Sequence, residues 1–585
     1  MASVLRCPQR RWRIIEIAWG LVVMHSTNVL GRIALVSLVV LAVLAGAVSP
    51  SSSSVGTDTH SQNRIRWRVC NDDVTAETGV VYECARLRVP LDYDHPRGHQ
   101  ISLNLVRVPA TDPERRLGAI LVNPGGPGGS GVGFVLGFGP FLGLAYGPEV
   151  AERFDLVGFD PRGVAGSTPI RCFRTVDEAF GSRPPVAFPL TPEEEALFQQ
   201  ADRELARNCA SRPSARRIAR HMSTANAARD MDVIREGMGD EQLNFLGLSY
   251  GAFLGTTYAN LFPDRVRSFA LDGIDDPIAY VNLEAEIPFF ARLRVDEGAQ
   301  ETLERFFELC EAAAPGNCAL APNARDRFAA VADSLLDSPI EVIDPGTGES
   351  VVFTYQALIA IAAELLGDTF AYADLADSVA SIESVLATPV EVGLGIEKLA
   401  TSLGGDVTQR MREPYNNVLE AVHAVACADS NNPTDYAIWS REGAAADEAF
   451  GYFGRLSTWT LSGCAQWPFD DDDRYVGPFD AYTANPILII GNLYDPNTRY
   501  EGAQTLRSIL PNSGLLTVDV PGHTSLGISA CAGSITGQYF LNPDVASSVD
   551  GQTCPVEFNP FDVVAGGGGQ AEMRQAATQS GSGEQ

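Results

Sequence analysis

Short apolar runs alternate with helical patterns along most of this 585-residue chain, and this alternation is the feature that most constrains its fold. Short runs that end in Gly or Asp are typical of strands buried in a parallel sheet. Such runs lie at Gly118–Val122, Phe154–Phe159, Leu243–Leu248 and Phe269–Asp272. An earlier run, Ile101–Val108, alternates apolar and polar residues as a half-buried strand does.

A helical pattern precedes the third of these buried runs. Thr224–Met238 places apolar residues at offsets of four, seven and eleven, at Ala227, Met231, Ile234 and Met238. Strand, helix and strand in this order predict a doubly wound α/β sheet, so the expected fold class is α/β with a mostly parallel sheet.

The pattern changes near residue 276. Helical patterns such as Thr302–Ala313 and Tyr355–Leu366 dominate as far as about residue 482, and strand patterns resume at Pro486–Gly491 and Leu515–Val520. We therefore predict one sheet domain, formed by residues 65–275 and 483–562, with a helical lid at residues 276–482. The lid is expected to lie over the carboxyl edge of the sheet, where open α/β sheets bind ligands.

The N-terminus is typical of an export signal. Residues 33–48 are continuously apolar, Arg32 precedes them, and Ala45, Gly46 and Ala47 are small residues suited to cleavage. The run is shorter than the ~20 residues of a membrane span. We therefore expect a signal at residues 1–48 and a secreted or cell-envelope protein, with a retained N-terminal anchor as the alternative. Residues 49–64 predict a linker, and the polar, Gly-rich residues 563–585 predict a disordered tail.

The charge balance is strongly acidic, with a formal net charge of −30. Nucleic acid is therefore not expected as a partner, because phosphates require a basic surface. The charge favours a soluble protein, and an acidic field would also attract cationic groups such as the free amine of a peptide.

Ten of the 11 cysteines follow the predicted signal. An even set in an exported chain predicts disulfides, and we expect neighbours to pair, although spacing alone leaves the connectivity open. No Cys/His spacing typical of a metal site occurs, so no metal is expected. The expected pairs are Cys70 with Cys84, Cys172 with Cys209, Cys310 with Cys318, Cys427 with Cys464, and Cys531 with Cys554.

A G-x-S-x-G sequence surrounds Ser249. Such a match arises by chance in many chains of this length, but this one follows an apolar strand and opens an apolar helix, Ala252–Leu261. A strand–turn–helix setting is what a nucleophile elbow requires, so Ser249 is the candidate nucleophile. The alternative is an ordinary serine in a Gly-rich turn.

A second Gly-rich segment, residues 123–131, follows the strand at Gly118–Val122. Acyl transfer needs preorganised N–H donors for an oxyanion, and glycine lets a backbone approach the substrate closely. Gly126 is the first candidate donor from this loop and Gly125 the second, and Tyr250, the residue after the nucleophile, supplies the other N–H. A phosphate-binding loop is disfavoured because the GK[ST] ending is missing, and a plain flexible turn stays open.

The candidate acid and base follow the last two strand patterns, at Asp495 and His523. The chain order Ser, Asp, His is the order of the catalytic residues in α/β-hydrolases. An imidazole activates the serine and a carboxylate orients the imidazole. Asp272, Asp275 and Asp276 remain alternatives for the acid, and His221 and His423 are interpreted as structural.

These motifs together resemble those of the secreted tripeptidyl aminopeptidase and proline iminopeptidase group of serine peptidases, α/β-hydrolases with a TAP-like C-terminal region. The resemblance extends from about Trp67 to Pro560 and includes Cys464, Trp467, Asp495, His523 and the Cys531/Cys554 pair. Its other motifs are VPLDY at Val89–Tyr93, NPGGPGGSG at 123–131, FDPRG at Phe159–Gly163, TANAARDMD at Thr224–Asp232, LGLSYG at 246–251, LFPDRV at 261–266 and LDG at Leu271–Gly273.

The resemblance implies an α/β-hydrolase fold and an exported enzyme that releases tripeptides or short N-terminal units from peptides with a free N-terminus. It assigns the triad to Ser249, Asp495 and His523 and requires no cofactor. Arg499 departs from a common proline and Thr524 from a frequent glycine, which bears on loop geometry beside the triad.

Substrate recognition is less constrained by sequence. Acidic lid residues would hold a substrate ammonium, with Glu284 and Glu286 as weak candidates. Asp160 and Arg162 are interpreted as support for neighbouring loops. A carboxylesterase or lipase using the same triad is the main alternative, because one fold hosts many functions. A non-catalytic binding protein is the second alternative.

Overall fold

The computed structural model describes residues 64–70, 79–284, 286–343, 350–387 and 417–562. The predicted signal, nearly all of the linker and the predicted tail lie outside these residues.

A ten-stranded sheet forms the centre of the molecule, in the order β1-β2-β3-β5-β4-β6-β7-β10-β11-β12. The pairs β1–β2, β2–β3 and β3–β5 are antiparallel, and every later pair is parallel. The strands are β1 Arg68–Cys70, β2 Tyr82–Pro90, β3 Gln100–Val108, β4 Gly118–Asn123, β5 Phe154–Phe159, β6 Leu243–Leu248, β7 Val266–Asp272, β10 Ile487–Tyr494, β11 Ser513–Pro521 and β12 Gln552–Cys554.

Helices cover both faces of this sheet, because side chains that alternate along a strand enter two different cores. In β4, Ala119 and Leu121 join one cluster, whereas Ile120 and Val122 join the other. The helices that connect the strands are α1 Gly131–Phe138, α2 Leu142–Tyr146, α3 Pro148–Arg153, α4 Val176–Gly181, α5 Pro192–Ser211, α6 Pro213–Ala219, α7 Thr224–Met238 and α8 Tyr250–Leu261. These layers confirm the predicted doubly wound α/β fold.

A mainly helical segment is inserted between β7 and β10. It contains one two-stranded hairpin, β8 Ile340–Ile343 with β9 Ser350–Phe353. The segment has a hydrophobic core of its own, which includes Phe306, Phe328 and Tyr372. Its helices are α9 Pro277–Val281, α10 Phe289–Leu293, α11 Val295–Ala312, α12 Ala324–Asp337, α13 Tyr355–Leu366, α14 Tyr372–Ala387, α15 Val418–Asp429, α16 Tyr436–Phe450 and α17 Gly454–Trp459.

Three further helices complete the C-terminal part: α18 Tyr500–Ile509, α19 Ala530–Leu541 and α20 Val545–Ser548. Short 3₁₀ turns lie at Pro113–Arg115, Gly139–Phe141, Pro263–Arg265, Thr369–Ala371, Ser462–Gln466 and Pro560–Asp562.

Five disulfides join the ten cysteines that follow the predicted signal, in the same pairs that the sequence analysis expected. Two of them, Cys172–Cys209 and Cys427–Cys464, join cysteines that are 37 positions apart in the sequence. Within the described ranges, no helix combines the length and the apolar character that crossing a membrane demands.

Candidate active site

Ser249 lies on a sharp turn between β6 and α8. Its φ and ψ angles are 58° and −130°, a conformation that non-glycine residues rarely adopt. The flanking glycines allow this turn, because a Cβ on Gly247 would lie 2.4 Å from the Gly251 oxygen and one on Gly251 would lie 2.3 Å from the Asn123 oxygen. The backbone N–H of Ser249 donates to the Asp272 oxygen at 2.9 Å. The turn therefore presents the Ser249 hydroxyl at the carboxyl edge of the sheet, as a nucleophile elbow does.

The Gly-rich loop after β4 packs directly against this turn. A Cβ on Gly125 would lie 2.7 Å from the Ser249 Cβ, so only glycine allows the approach. The Gly125 N–H is occupied, since it donates to Asn123 Oδ1 at 2.9 Å. The N–H groups of Gly126 and Tyr250 have no acceptor among the described residues. Of the two candidate loop donors, Gly126 is therefore the one left free to bind an oxyanion.

Asp160 holds the same loop in place from the end of β5. Its Oδ1 accepts the Ser130 hydroxyl at 2.5 Å, and its Oδ2 accepts the Gly166 N–H at 3.0 Å. Arg162 has a different partner: its side chain is 1% exposed and donates two hydrogen bonds to Asp230 in α7. The two residues support neighbouring loops as expected, but through separate partners.

Asp495 and His523 form a hydrogen-bonded pair. His523 Nδ1 lies 2.9 and 3.0 Å from the two carboxylate oxygens of Asp495. Asp495 is 2% exposed and also accepts the N–H groups of Asn497, Thr498 and Thr524 at 2.9–3.2 Å. This arrangement fixes the ring and leaves Nε2 as the acceptor for a substrate or nucleophile proton.

The pair shifts the pKa of both members. Burial disfavours the imidazolium, but the charge and hydrogen bond of Asp495 outweigh it and raise the pKa of His523 above its usual value. Burial likewise disfavours the carboxylate, but the charge and hydrogen bond of His523 lower the pKa of Asp495. The structure thus favours an ionised Asp495 that stabilises a protonated His523.

The other acids near β7 have different surroundings. Asp272 accepts the Ser525 N–H and hydroxyl at 2.8–3.0 Å, and Asp276 caps α9 through the N–H groups of Ile278 and Ala279. Asp275 makes no hydrogen bond or ion pair with the described residues. None of the three contacts His523 in the way that Asp495 does.

Ser249 and His523 line one cavity of about 2230 Å³, although no hydrogen bond joins them. Such contacts are often long in an unliganded enzyme and tighten on substrate binding. The cavity lies between the Gly-rich loop, helices α1 and α5 and the helical lid, and its wall is mainly apolar, with some aromatic rings. It exceeds the ~300–1,000 Å³ of ordinary small-molecule pockets, so it has room for a peptide.

Glu284 and Glu286 do not line this cavity and are exposed on the surface. Charge and position along the lid suggested them, but the orientation of the segment that connects α9 and α10 decides which side chains face the cavity. A role for Glu284 and Glu286 in binding the substrate amine stays a prediction, which their position outside the cavity does not support.

His423 lines the cavity but is held by a structural contact, from its Nδ1 to the Leu419 oxygen at 2.8 Å. Burial lowers the pKa of His423 to about 4, so it is neutral at physiological pH. His221 lies elsewhere, with its ring and the carboxylates of Asp92 and Asp473 within 4.8 Å of one another. These three could offer metal ligands, but none of them lines the cavity.

Sequence reasoning missed two contributors beside the candidate triad. Thr498 Oγ1 lies 2.9 Å from Asp495 Oδ2 and 3.3 Å from His523 Nδ1. Asn492 Nδ2 donates to the oxygens of Gly522 and Thr524, which fixes the loop that carries His523. The sequence offered only position as a signal: Thr498 follows Asp495 by three residues, and Asn492 lies near the end of β10.

The two departures noted in sequence have visible consequences. Arg499 contacts Glu297 and Glu301 of the lid helix α11, so it ties the Asp495 loop to the lid. Thr524 adopts a φ of 65°, the left-handed region that favours glycine.

Comparison with known proteins agrees with this geometry. A family model described as "alpha/beta hydrolase fold" matches residues 118–314, and one described as "TAP-like protein" matches residues 449–554. A tripeptidyl aminopeptidase of Streptomyces lividans is 30% identical over 86% of this chain and 93% of its own length. The serine protease Hip1 of Mycobacterium tuberculosis is 30% identical over 85% of this chain and 91% of its own.

A carboxylesterase B of Mycobacterium tuberculosis is also similar, at 32% identity over 81% of this chain and 87% of its own length. The identities and the coverage show a shared family, and the family consists of hydrolases. The chain therefore belongs to the tripeptidyl-aminopeptidase-like serine hydrolases of the α/β-hydrolase superfamily.

Proposed function

We propose that this enzyme is an exported aminopeptidase that releases tripeptides or other short N-terminal units from peptides through an acyl-enzyme. The observation that carries the proposal is the hydrogen-bonded pair of Asp495 and His523, whose imidazole lines the same cavity as Ser249. The choice of peptides is supported by relatives named tripeptidyl aminopeptidase and serine protease.

In the first half of the reaction, the Ser249 hydroxyl attacks the scissile carbonyl carbon and gives its proton to His523 Nε2. The N–H groups of Gly126 and Tyr250 hold the oxyanion, and Asp495 stabilises the imidazolium. The C–N bond then breaks, the leaving amine takes the proton from His523, and the acyl group stays on Ser249.

In the second half, water attacks the acyl-enzyme and His523 accepts the proton of that water. The C–O bond to Ser249 breaks, the proton returns to the serine oxygen, and the short peptide leaves as a carboxylate. No external reactant other than water is needed.

The test compares tripeptidyl and prolyl p-nitroanilides, each with a free or an acetylated amine, with short and long p-nitrophenyl esters. We expect hydrolysis of the free-amine anilides, loss of that activity in Ser249→Ala, and full activity in Ser547→Ala, which removes an exposed serine hydroxyl. Ester hydrolysis without any anilide hydrolysis would contradict the aminopeptidase proposal.

That outcome would support the second candidate, a carboxylesterase. Two observations favour it: the mainly apolar wall of the large cavity and the relative named carboxylesterase B. Chain-length preference among the esters would then report the shape of the cavity.

Export is tested separately from catalysis. The five disulfides support it, since such bonds form and persist in oxidising compartments. We expect the protein in the culture medium or cell envelope with a new N-terminus near Ser49, measured by mass spectrometry of the intact chain. A cytosolic protein with reduced cysteines would contradict export.

A further inference from the structure

Asp275 is the carboxylate in the catalytic cavity whose role the triad leaves unexplained. It lies three residues beyond the end of β7 and lines the cavity that contains Ser249 and His523. Asp495 already orients His523, so the reaction needs no second acid at that ring.

Every other carboxylate on the described lining of the cavity has a protein partner. Glu149 pairs with Arg153, and Asp202 accepts the hydroxyls of Tyr436 and Ser462. The remaining three are Glu364, Asp368 and Glu557, which also have partners. Asp275 is alone among the described lining carboxylates in having neither a hydrogen bond nor an ion pair.

Among the described lining residues, no arginine or lysine pairs with Asp275, and only the imidazolium form of His523 attracts its charge. Arg183 is the only arginine or lysine on the described part of the lining, and it does not contact Asp275. Asp275 is half-buried in the wall of the cavity, and burial raises the pKa of its carboxyl to about 7. A carboxylate left without a partner at such a place is costly unless a ligand supplies the opposite charge.

Aromatic side chains from α9 and α10 line the same cavity. The Tyr280 ring lies 4.8 Å from the Phe289 ring, and Phe289 lies 5.1 Å from Phe290. The Tyr280 hydroxyl is buried and has no hydrogen-bond partner in the described chain. Phe253 already stacks on the Tyr280 ring at 3.8 Å, and the Arg292 guanidinium lies 4.9 Å from the centre of the Phe289 ring. The rings therefore form an apolar border, and the ionic attraction of Asp275 is what suits an ammonium or guanidinium group.

We propose that Asp275 and the Tyr280–Phe289–Phe290 wall form a subsite for a cationic group on the substrate. The idea rests on the proposed peptidase function, and it adds the residue that selects charge. The cation is either the free α-ammonium of the peptide or a Lys or Arg side chain of the released segment. Asp275 acts here as a specificity-determining residue, and its substitution changes binding of the cation.

The first experiment uses a probe that needs no peptide turnover. A fluorophosphonate labels Ser249, and benzylammonium is added as a competitor, with benzyl alcohol as its neutral counterpart. We expect benzylammonium to slow labelling of the native chain much more than benzyl alcohol does. In Asp275→Asn its inhibition constant is expected to rise about 10- to 100-fold, the range for loss of a charged hydrogen bond.

Asp276→Asn is the matched control, because it removes one carboxylate from the adjacent residue, and asparagine still caps a helix well. Asp276→Asn is expected to keep the native inhibition constant for benzylammonium. Asp275→Glu restores a carboxylate, so its inhibition constant is expected to lie between those of the native chain and Asp275→Asn. Equal constants for native chain and Asp275→Asn, or equal protection by the alcohol and the ammonium, would overturn the proposal.

Calorimetric titration of benzylammonium into Ser249→Ala measures the subsite even if labelling fails. A missing label with intact, Asp275-dependent binding would contradict the catalytic role of Ser249 and leave the subsite standing. The comparison is between Ser249→Ala and the same variant with Asp275→Asn added. Loss of benzylammonium binding in the double variant supports the subsite, and equal binding by the two variants rules it out.

Peptide substrates then separate the two sources of the cation. One arm compares free and acetylated tripeptidyl anilides with neutral side chains, and the other compares Lys with norleucine in acetylated anilides. If the subsite binds the α-ammonium, we expect Asp275→Asn to raise KM for the free-amine anilides. If it binds a side chain, KM is expected to rise for the Lys anilides, and in either case kcat changes less than KM. Unchanged ratios in both arms of an active enzyme would contradict the subsite alone and leave the aminopeptidase function intact.

Discussion

At the scale of single residues, the site depends on which carboxylate reaches His523. Four acids follow neighbouring strands at one sheet edge, and only Asp495 contacts the ring, at 2.9 Å from Nδ1. Asp272 instead fixes Ser525, and Asp276 caps a helix. The chemistry of an aspartate is the same in each case, so the direction of the side chain decides its role.

The first prediction separates these acids. Asp495→Asn is expected to lower kcat about 10⁴-fold, because the amide favours the wrong tautomer of His523. Asp272→Asn is expected to change kcat less than tenfold, since it touches Ser525 and not the imidazole. Steady-state kinetics on the best substrate measures both, and an equal loss in the two variants would refute the assignment of Asp495.

The second prediction concerns pH. His523 accepts a proton only when neutral, and its pKa lies above the usual 6.5 because Asp495 stabilises the imidazolium. We therefore expect kcat/KM to rise with pH through a midpoint above 6.5, and to fall below that midpoint as His523 is protonated. The midpoint belongs to the coupled His–Asp pair, and a pH profile whose midpoint lies below 6.5 would disprove this reading.

At the scale of helices and strands, two contacts between distant segments hold the site. Arg162, after β5, is bound to Asp230 in α7, and Arg499, in the Asp495 loop, is bound to Glu297 in α11. The first contact lies inside the sheet domain, and the second joins that domain to the lid. Both link motifs that lie far apart in the chain.

The third prediction tests the contact inside the sheet domain. Arg162→Ala leaves the buried Asp230 carboxylate without its cation, which is expected to cost about 3–5 kcal/mol of unfolding free energy. Arg115→Ala breaks an exposed ion pair with Asp112 and is expected to leave the denaturation midpoint unchanged. Urea unfolding monitored by tryptophan fluorescence compares the two, and equal midpoints would show that the buried pair is dispensable.

At the scale of the whole molecule, five disulfides close loops of different length across the sheet domain and the lid. The unfolded chain loses more freedom when a longer loop is closed, so a longer loop should stabilise the fold more. The Cys427–Cys464 bond joins residues that are 37 positions apart in the sequence, whereas Cys310 and Cys318 are 8 positions apart.

The fourth prediction compares these two bonds. Replacing Cys427 and Cys464 by serine is expected to cost about 4 kcal/mol, against about 2.5 kcal/mol for Cys310 and Cys318. Urea unfolding of both double variants measures the difference. A larger loss for the short loop would mean that contacts in the folded state, and not loop closure, set the contribution of each bond.

Local patterns in the sequence were enough for several elements of the fold, but not for the hairpin of β8 and β9, which no pattern predicted. The helix at Tyr355–Leu366 and the strands at Phe154–Phe159 and Leu243–Leu248 have the predicted bounds. The spacing of apolar residues and the turn preference of glycine depend only on a few neighbouring residues. They therefore predict helices, strands and turns without knowledge of the rest of the chain. For the same reason Ser249 was recognisable from its strand, turn and helix.

The sequence by itself therefore determined the α/β class, the mainly helical segment inserted after β7 and the turn that presents Ser249. Only the tertiary structure decided that Gly126 rather than Gly125 has a free N–H, that Asp495 rather than Asp272 contacts His523, and that Glu284 faces solvent. The physical reason is the sequence separation between contacting residues, since Ser525 and its partner Asp272 are 253 residues apart in the chain. A side chain's partner over such a distance depends on how strands, loops and lid pack together, which no local pattern records.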